Sequence, residues 1–154
     1  MSKFLRKTLL GLQSLFEPRF KILAYHGVPN DNPSPYEVSA RQFREQMGII
    51  RDEGYQVIDL HSAVQRMQKG YISKRMLVIT FDDALESIHE NAIPILKEFR
   101  FPATIFVPTG LVGMEDTFSK DSSSRKRIMS WIMLQDLASE GFALGSHSVN
   151  HSNL

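Results

Sequence analysis

The chain contains no cysteine. Disulfides and thiolate metal sites are therefore excluded, and any metal it binds must use histidine and carboxylate. Charge of one sign is not in excess either: 18 Lys and Arg stand against 17 Asp and Glu, for a formal net charge of +1. No global field argues for nucleic acid or another polyanion as a partner. Long apolar runs are missing as well. No stretch approaches the roughly 20 apolar residues needed to cross a bilayer, so no transmembrane helix is expected. What is present is 154 residues with 42% hydrophobic content, the size and composition of one globular domain.

Residues 1–19 read as a separate amphipathic segment. Lys3, Arg6 and Lys7 surround Leu5, Leu9, Leu12 and Phe16, which recur at helical spacing, and no small-residue cleavage site follows them. Packing of this helix on the domain ranks first, peripheral membrane contact through residues 3–16 second, and a cleaved signal third. A cytoplasmic or membrane-peripheral setting is accordingly favoured over an extracytoplasmic one.

From residue 20 onward, apolar runs alternate with helical patterns. Phe20–Tyr25 reads as a strand closed by His26-Gly27-Val28-Pro29, and the Asn, Asp and Pro residues of 30–35 form a loop. Ser39 with Gln42 three residues on predicts a capping box, opening a helix that buries Phe43, Met47 and Ile50 and stops at Gly54. Tyr55–Leu60 predicts a second strand and Ser62–Lys69 a short helix facing the core with Ala63, Val64 and Met67. The third strand begins at Met76. Glu86–Phe99 predicts a helix bent at Pro94, Ala103–Val107 a fourth strand, and Glu115–Arg127 a long polar loop. Ser130 caps a last helix, Trp131–Glu140, with Trp131 packed against the sheet, and Phe142–Gly145 is the fifth strand. Strand–helix alternation with short connections argues an α/β fold with a parallel sheet, open or curled into a barrel. Ligands in such folds bind beyond the carboxyl ends of the strands.

Met76-Leu77-Val78-Ile79-Thr80-Phe81 is continuously apolar up to its end and delivers Asp82 and Asp83 at once. A strand covered on both faces has this pattern. Successive side chains point to opposite faces, so the two carboxylates share a site only if the chain bends there. Capping of the next helix is the competing use of such a pair. His147 and His151, four apart after the fifth strand, decide between them by falling at the same rim. A catalytic divalent site needs three protein ligands and an open position. Asp83, His147 and His151 supply that set, zinc suits two nitrogens and one carboxylate, and Asp82 is left as the base for a metal-bound water. The chemistry is hydrolysis of an ester or amide.

Thr80-Phe81-Asp82-Asp83 and His147-Ser148-Val149-Asn150-His151 resemble the first two motifs of the polysaccharide deacetylases, carbohydrate esterase family four. Leu23–Val28, Phe101–Val107 and Met129-Ser130-Trp131 resemble the blocks flanking them, so the likeness covers roughly residues 20 to 154. It implies a parallel-stranded distorted (β/α) barrel, present here as its amino-terminal part, that removes N-acetyl or sometimes O-acetyl groups from glycans. It also implies Asp82 as base and Asp83, His147 and His151 as metal ligands. Two departures stand out. Ala84 occupies the place where the family usually has Gly, and the chain ends three residues after His151. The family's later motifs, with an Arg near the base, groove residues and a general-acid His, fall beyond that end.

A truncated chain would leave sheet edges unpaired, and little or no deacetylase activity is expected of it alone. His61 and His89 read as structural histidines, and His26 stays open between structure and function. The basic run Arg125-Lys126-Arg127 reads first as a solvated loop and second as a surface for an anionic glycan or lipid head group. Two rivals to hydrolysis remain: a glycan- or metal-binding relative without turnover, and magnesium-dependent phosphoryl transfer, which would leave the two histidines idle and has no Gly-rich phosphate loop here.

Overall fold

Every residue of the third strand is buried, and the fold is arranged around it. The structure is a computed structural model, described here for residues 20–71, 73–119 and 125–152. The expected amphipathic segment 1–19 and the stretch 120–124 lie outside the described residues. Five parallel strands, β1 (Lys21–Tyr25), β2 (Gln56–Val57), β3 (Met76–Phe81), β4 (Thr104–Val107) and β5 (Ala143–Ser146), form one sheet in the order β1-β3-β4-β5, with β2 pairing the start of β3. The helices are α1 (Ala40–Asp52), α2 (Leu60–Gln68), α3 (Ile93–Phe99) and α4 (Trp131–Ser139).

The two faces of β3 build two cores, as strand alternation requires. Leu77, Ile79 and Phe81 join Phe43, Met47 and Ile50 of α1 and Ile93 and Leu96 of α3 in the main core, while Met76 and Val78 pack with Ile58 and Ala63. At the upper end of the main core, the rings of Tyr25, Phe43 and Phe81 meet with centroids 5.0 to 5.8 Å apart. This three-ring contact fixes the ends of β1 and β3 against α1, directly beneath His26 and Asp82. Burial pushes the Tyr25 phenol up to about 12, and its hydroxyl donates to Gln46 Oε1 at 2.8 Å.

The caps expected at Ser39 and Ser130 are present, and Asp59, expected within the second strand, supplies a third. Ser39 and Gln42 form the full capping box of α1, Asp59 accepts from Ser62 N at α2, and Ser130 accepts from Met133 N at α4. Use of Asp59 as a cap also explains why β2 is shorter than the apolar run Tyr55–Leu60 suggests: the cap turns the chain into α2 at Leu60. Of the expected α2 face only Ala63 is buried, and Met67 is 49% exposed. Pro94 produces a wider turn rather than a simple bend. Residues Ile88–Ala92 form one turn of π-helix ahead of α3, which absorbs the missing amide of the proline. Trp131 is 54% exposed at the first turn of α4, contrary to its expected packing on the sheet; Leu134 and Leu137 carry that contact instead. None of the described helices is long and apolar enough to cross a membrane.

Candidate active site

Asp82 and Asp83 leave β3 at a bend of two successive left-handed residues, Asp83 at φ 67° and Ala84 at φ 50°. The bend is what lets adjacent carboxylates approach one centre. Aspartate tolerates this conformation better than most residues; Ala84, fully buried, takes it at a cost of about 1–2 kcal/mol. The chain on either side is tied down. Asp82 N donates to Tyr25 O at 2.8 Å, extending the β1–β3 ladder, and Met129 N donates to Ala84 O at 2.9 Å.

His147 is held by the neighbouring ladder, its amide donating to Val107 O at 2.8 Å. Residues 148–151 then form a tight turn, not a helix, with Ser148 at φ 60° and His151 at φ 52°. Thr109 N and Gly110 N donate to Ser148 O and Val149 O at 3.1 and 2.7 Å and fasten this turn to the loop after β4. Gly110 has to be small there: a Cβ would stand 2.6 Å from Asn150 Oδ1 and 2.9 Å from Val149 O.

The turn converges both imidazoles on one oxygen. His147 Nε2 lies 3.4 Å and His151 Nε2 3.3 Å from Asp83 Oδ1. That oxygen is buried and has no hydrogen-bond partner among the described residues. Asp83, His147 and His151 are also the group among the described residues whose ligand atoms all fall within 4.8 Å of one another. Burial pushes the Asp83 carboxyl above its ordinary range, against the nearby His151, His26 and His147, and the Asp82 carboxylate adds to the rise. A buried carboxylate oxygen facing two imidazole nitrogens is a donor set whose chemistry fits a divalent ion.

The remaining histidines separate cleanly. His26 sits at the end of β1 with Nε2 4.0 Å from Asp82 Oδ2. His61 instead contacts Gln65 on α2 at 2.8 Å, and His89 lies in the π turn, both away from the rim.

Several rim residues carry no signal in the sequence. Phe118 stacks on His151 with ring centroids 4.1 Å apart, orienting a ring that the backbone alone leaves free to turn. Asp116, 1% exposed, places Phe118 by accepting from Ser119 N at 2.9 Å and from Lys126 N at 2.8 Å. Two residues of the basic run are paired within the chain: Lys126 Nζ reaches Glu37 Oε2 at 2.6 Å and Arg127 Nε reaches Glu86 Oε1 at 3.4 Å. Both are pairs within the chain, which weakens the reading of these cations as a free anionic-ligand surface. No periodicity marks such long-range ties; only an acid and a base far apart in sequence hint at them.

The Glu37 side chain is 4% exposed. Burial alone would raise its pKa, but hydrogen bonds from Lys126 and from the Ser34 amide outweigh that and hold it below the ordinary carboxylate range. A lowered folded pKa means that the stabilisation is complete above the unfolded pKa and is lost as pH falls through the folded value. Glu37→Gln is expected to lower stability at neutral pH by about 1–2 kcal/mol, seen as a Tm fall of about 2–6 °C. The deficit should shrink on acidification, and a constant deficit from pH 7 to 3 would show that charge is not its source.

A parallel α/β sheet bearing an Asp-His-His cluster and a second carboxylate beyond its strand ends defines an α/β fold with a candidate metal site. The sequence profile of the family described as polysaccharide deacetylase matches residues 69–154, which include all four of these side chains. This chain belongs to the polysaccharide deacetylase family. It is 39% identical over 93 residues to the poly-β-1,6-N-acetyl-D-glucosamine N-deacetylase of Staphylococcus aureus, a match covering 60% of this chain and 32% of that protein. The match thus spans about a third of the length of that relative. Among solved structures, IcaB from Ammonifex degensii superposes with a TM-score of 0.71 at 27% identity, over 85% of this chain and 53% of that one. The Streptococcus pyogenes deacetylase PplD, solved with acetate, gives a TM-score of 0.71 at 24% identity, over 86% and 57%. The expected fold class is therefore borne out, with this chain corresponding to part of a barrel-type deacetylase.

Proposed function

We propose that the chain hydrolyses acetyl groups from an N-acetylated glycan in a metal-dependent reaction, N-acetyl ahead of O-acetyl. One observation carries this reading: Asp83 Oδ1, buried and unpartnered, faces two imidazole nitrogens at 3.3 and 3.4 Å. Asp83, His147 and His151 would hold the ion, and two nitrogens with one carboxylate suit zinc or a similar divalent metal. When bound, such an ion supplies Lewis-acid charge that polarises the acetyl carbonyl and acidifies water.

The rest is done by the chain's own groups. Asp82, half-buried at the ladder end and outside the ligand set, takes the proton from the attacking water. His26 faces it at 4.0 Å and delivers a proton to the departing amine nitrogen, so that base and acid stand on neighbouring strands. The carbonyl carbon gains the water oxygen, the C–N bond breaks, and acetate and a free amine leave. His26, expected to be a poor substitute for a general acid, takes that role in this reading because of its place beside Asp82. The relative's named substrate, poly-β-1,6-N-acetyl-D-glucosamine, supports a polymer of N-acetylhexosamine as the substrate class.

The zinc-loaded chain is expected to release acetate from β-1,6-linked N-acetylglucosamine oligomers, slowly enough to need high protein concentration. His26→Gln should slow that release about a hundredfold. Release at full rate in the presence of a chelator would overturn the metal-dependent reading, and an unchanged rate in His26→Gln would remove His26 from the acid role.

A further inference from the structure

We propose that Tyr36 is a stacking platform for a pyranose ring of the glycan, next to the sugar that loses its acetyl group. The inference rests on the deacetylase reading above and adds a subsite to it. Tyr36 is 79% exposed, the largest exposure among the exposed large hydrophobic residues, so its ring does nothing for the core. It nevertheless stands beside the reacting groups. Its ring centroid is 6.1 Å from that of His26, whose Nε2 is in turn 4.0 Å from Asp82 Oδ2.

The backbone beneath the ring is built to hold it out. Ser34-Pro35-Tyr36-Glu37 is a tight turn closed by Glu37 N donating to Ser34 O at 3.0 Å, with Pro35 presetting the turn and Tyr36 at its tip. Glu37, next along, is the anchor. Its buried carboxylate takes the Ser34 amide at 3.0 Å and Lys126 Nζ at 2.6 Å. It also lies over Gly27, where a Cβ would stand 2.2 Å from Glu37 Oε1. Gly27, adjacent to His26, therefore leaves the space in which Glu37 sits, and Glu37 fixes the turn that presents Tyr36. One construction spaces the platform from the catalytic rim.

The chemistry of the occupant follows from the ring. A pyranose offers a face of C–H bonds whose positively polarised hydrogens meet the negative face of an aromatic ring. An exposed tyrosine on a fixed turn has only two side-chain torsions to immobilise, so little of the contact is lost to ordering. A charged ligand would call for free cations here, yet Lys126, the nearest in the construction, is already committed to Glu37.

The test is saturation-transfer NMR on the full chain, metal-free so that no turnover intervenes, with a β-1,6-linked N-acetylglucosamine tetramer. Wild type should transfer magnetisation to pyranose ring protons. Tyr36→Ala should lose that transfer and bind about tenfold more weakly, while Tyr36→Phe retains both. Equal binding by wild type and Tyr36→Ala, or no binding by wild type, would overturn the platform. Parallel acetate assays separate it from the reading beneath it. Tyr36-dependent binding without acetate release under any divalent metal would fell the deacetylase reading and keep the platform. Acetate release equal in wild type and Tyr36→Ala at every oligomer length would do the reverse.

Discussion

Asp83→Asn is expected to abolish zinc retention while making the metal-free chain more stable. Asparagine accepts the left-handed backbone at this position, φ 67°, where alanine would add strain, so the substitution isolates the charge. In the metal-free protein the carboxylate is a liability: Oδ1 is buried with no hydrogen-bond partner, and burial raises its pKa. An acid whose folded pKa lies above its unfolded value loses stability as pH rises between the two, and the full penalty is present at neutral pH. Removing the charge should return about 1–3 kcal/mol, a Tm rise of several degrees above that interval and little below it. Zinc affinity should fall by more than about a hundredfold, beyond what loss of an outer contact produces. Metal analysis after dialysis together with thermal melts at pH 4 and 7 reads both effects, and zinc retained at the wild-type level would dismantle the proposed ligand set. His147→Ala should share the loss of zinc.

Asp82→Asn should behave in the opposite way: zinc stays, and acetate release falls about a thousandfold. The two residues are adjacent in sequence, yet the proposed mechanism gives one to the ion and leaves the other for the water. An asparagine keeps the shape and the Asp82 amide bond to Tyr25 O but cannot take a proton. The informative measurement is metal content and acetate release on the same preparation. Loss of zinc in this variant would mean that Asp82, too, is a ligand.

Much of this was legible in the sequence. The apolar run of β3, the capping box at Ser39, the cap at Ser130 and the order of the elements follow from local patterns that depend on near neighbours only. So does the pairing of an acid at a strand end with His147 and His151, since strands in parallel sheets bring their carboxyl ends to one rim. What escaped is non-local. Trp131 and Met67 are apolar yet exposed among the described residues, and no period reports that. Glu37 with Lys126, Asp116 with its two amides, and Phe118 against His151 join residues across loops whose path local sequence does not encode. His26, a histidine at a strand end, has no defined partner until β1 is laid beside β3.

The position of β5 has one further consequence. His147 and His151 follow it directly, while Asp83 follows β3, the buried centre of the sheet, and β4 lies between the two strands. An ion shared by the three side chains would therefore tie together the ends of two strands that do not touch each other. Its binding would favour the folded arrangement of all three strands over the unfolded chain, so that loading the site and holding this part of the sheet together become one equilibrium.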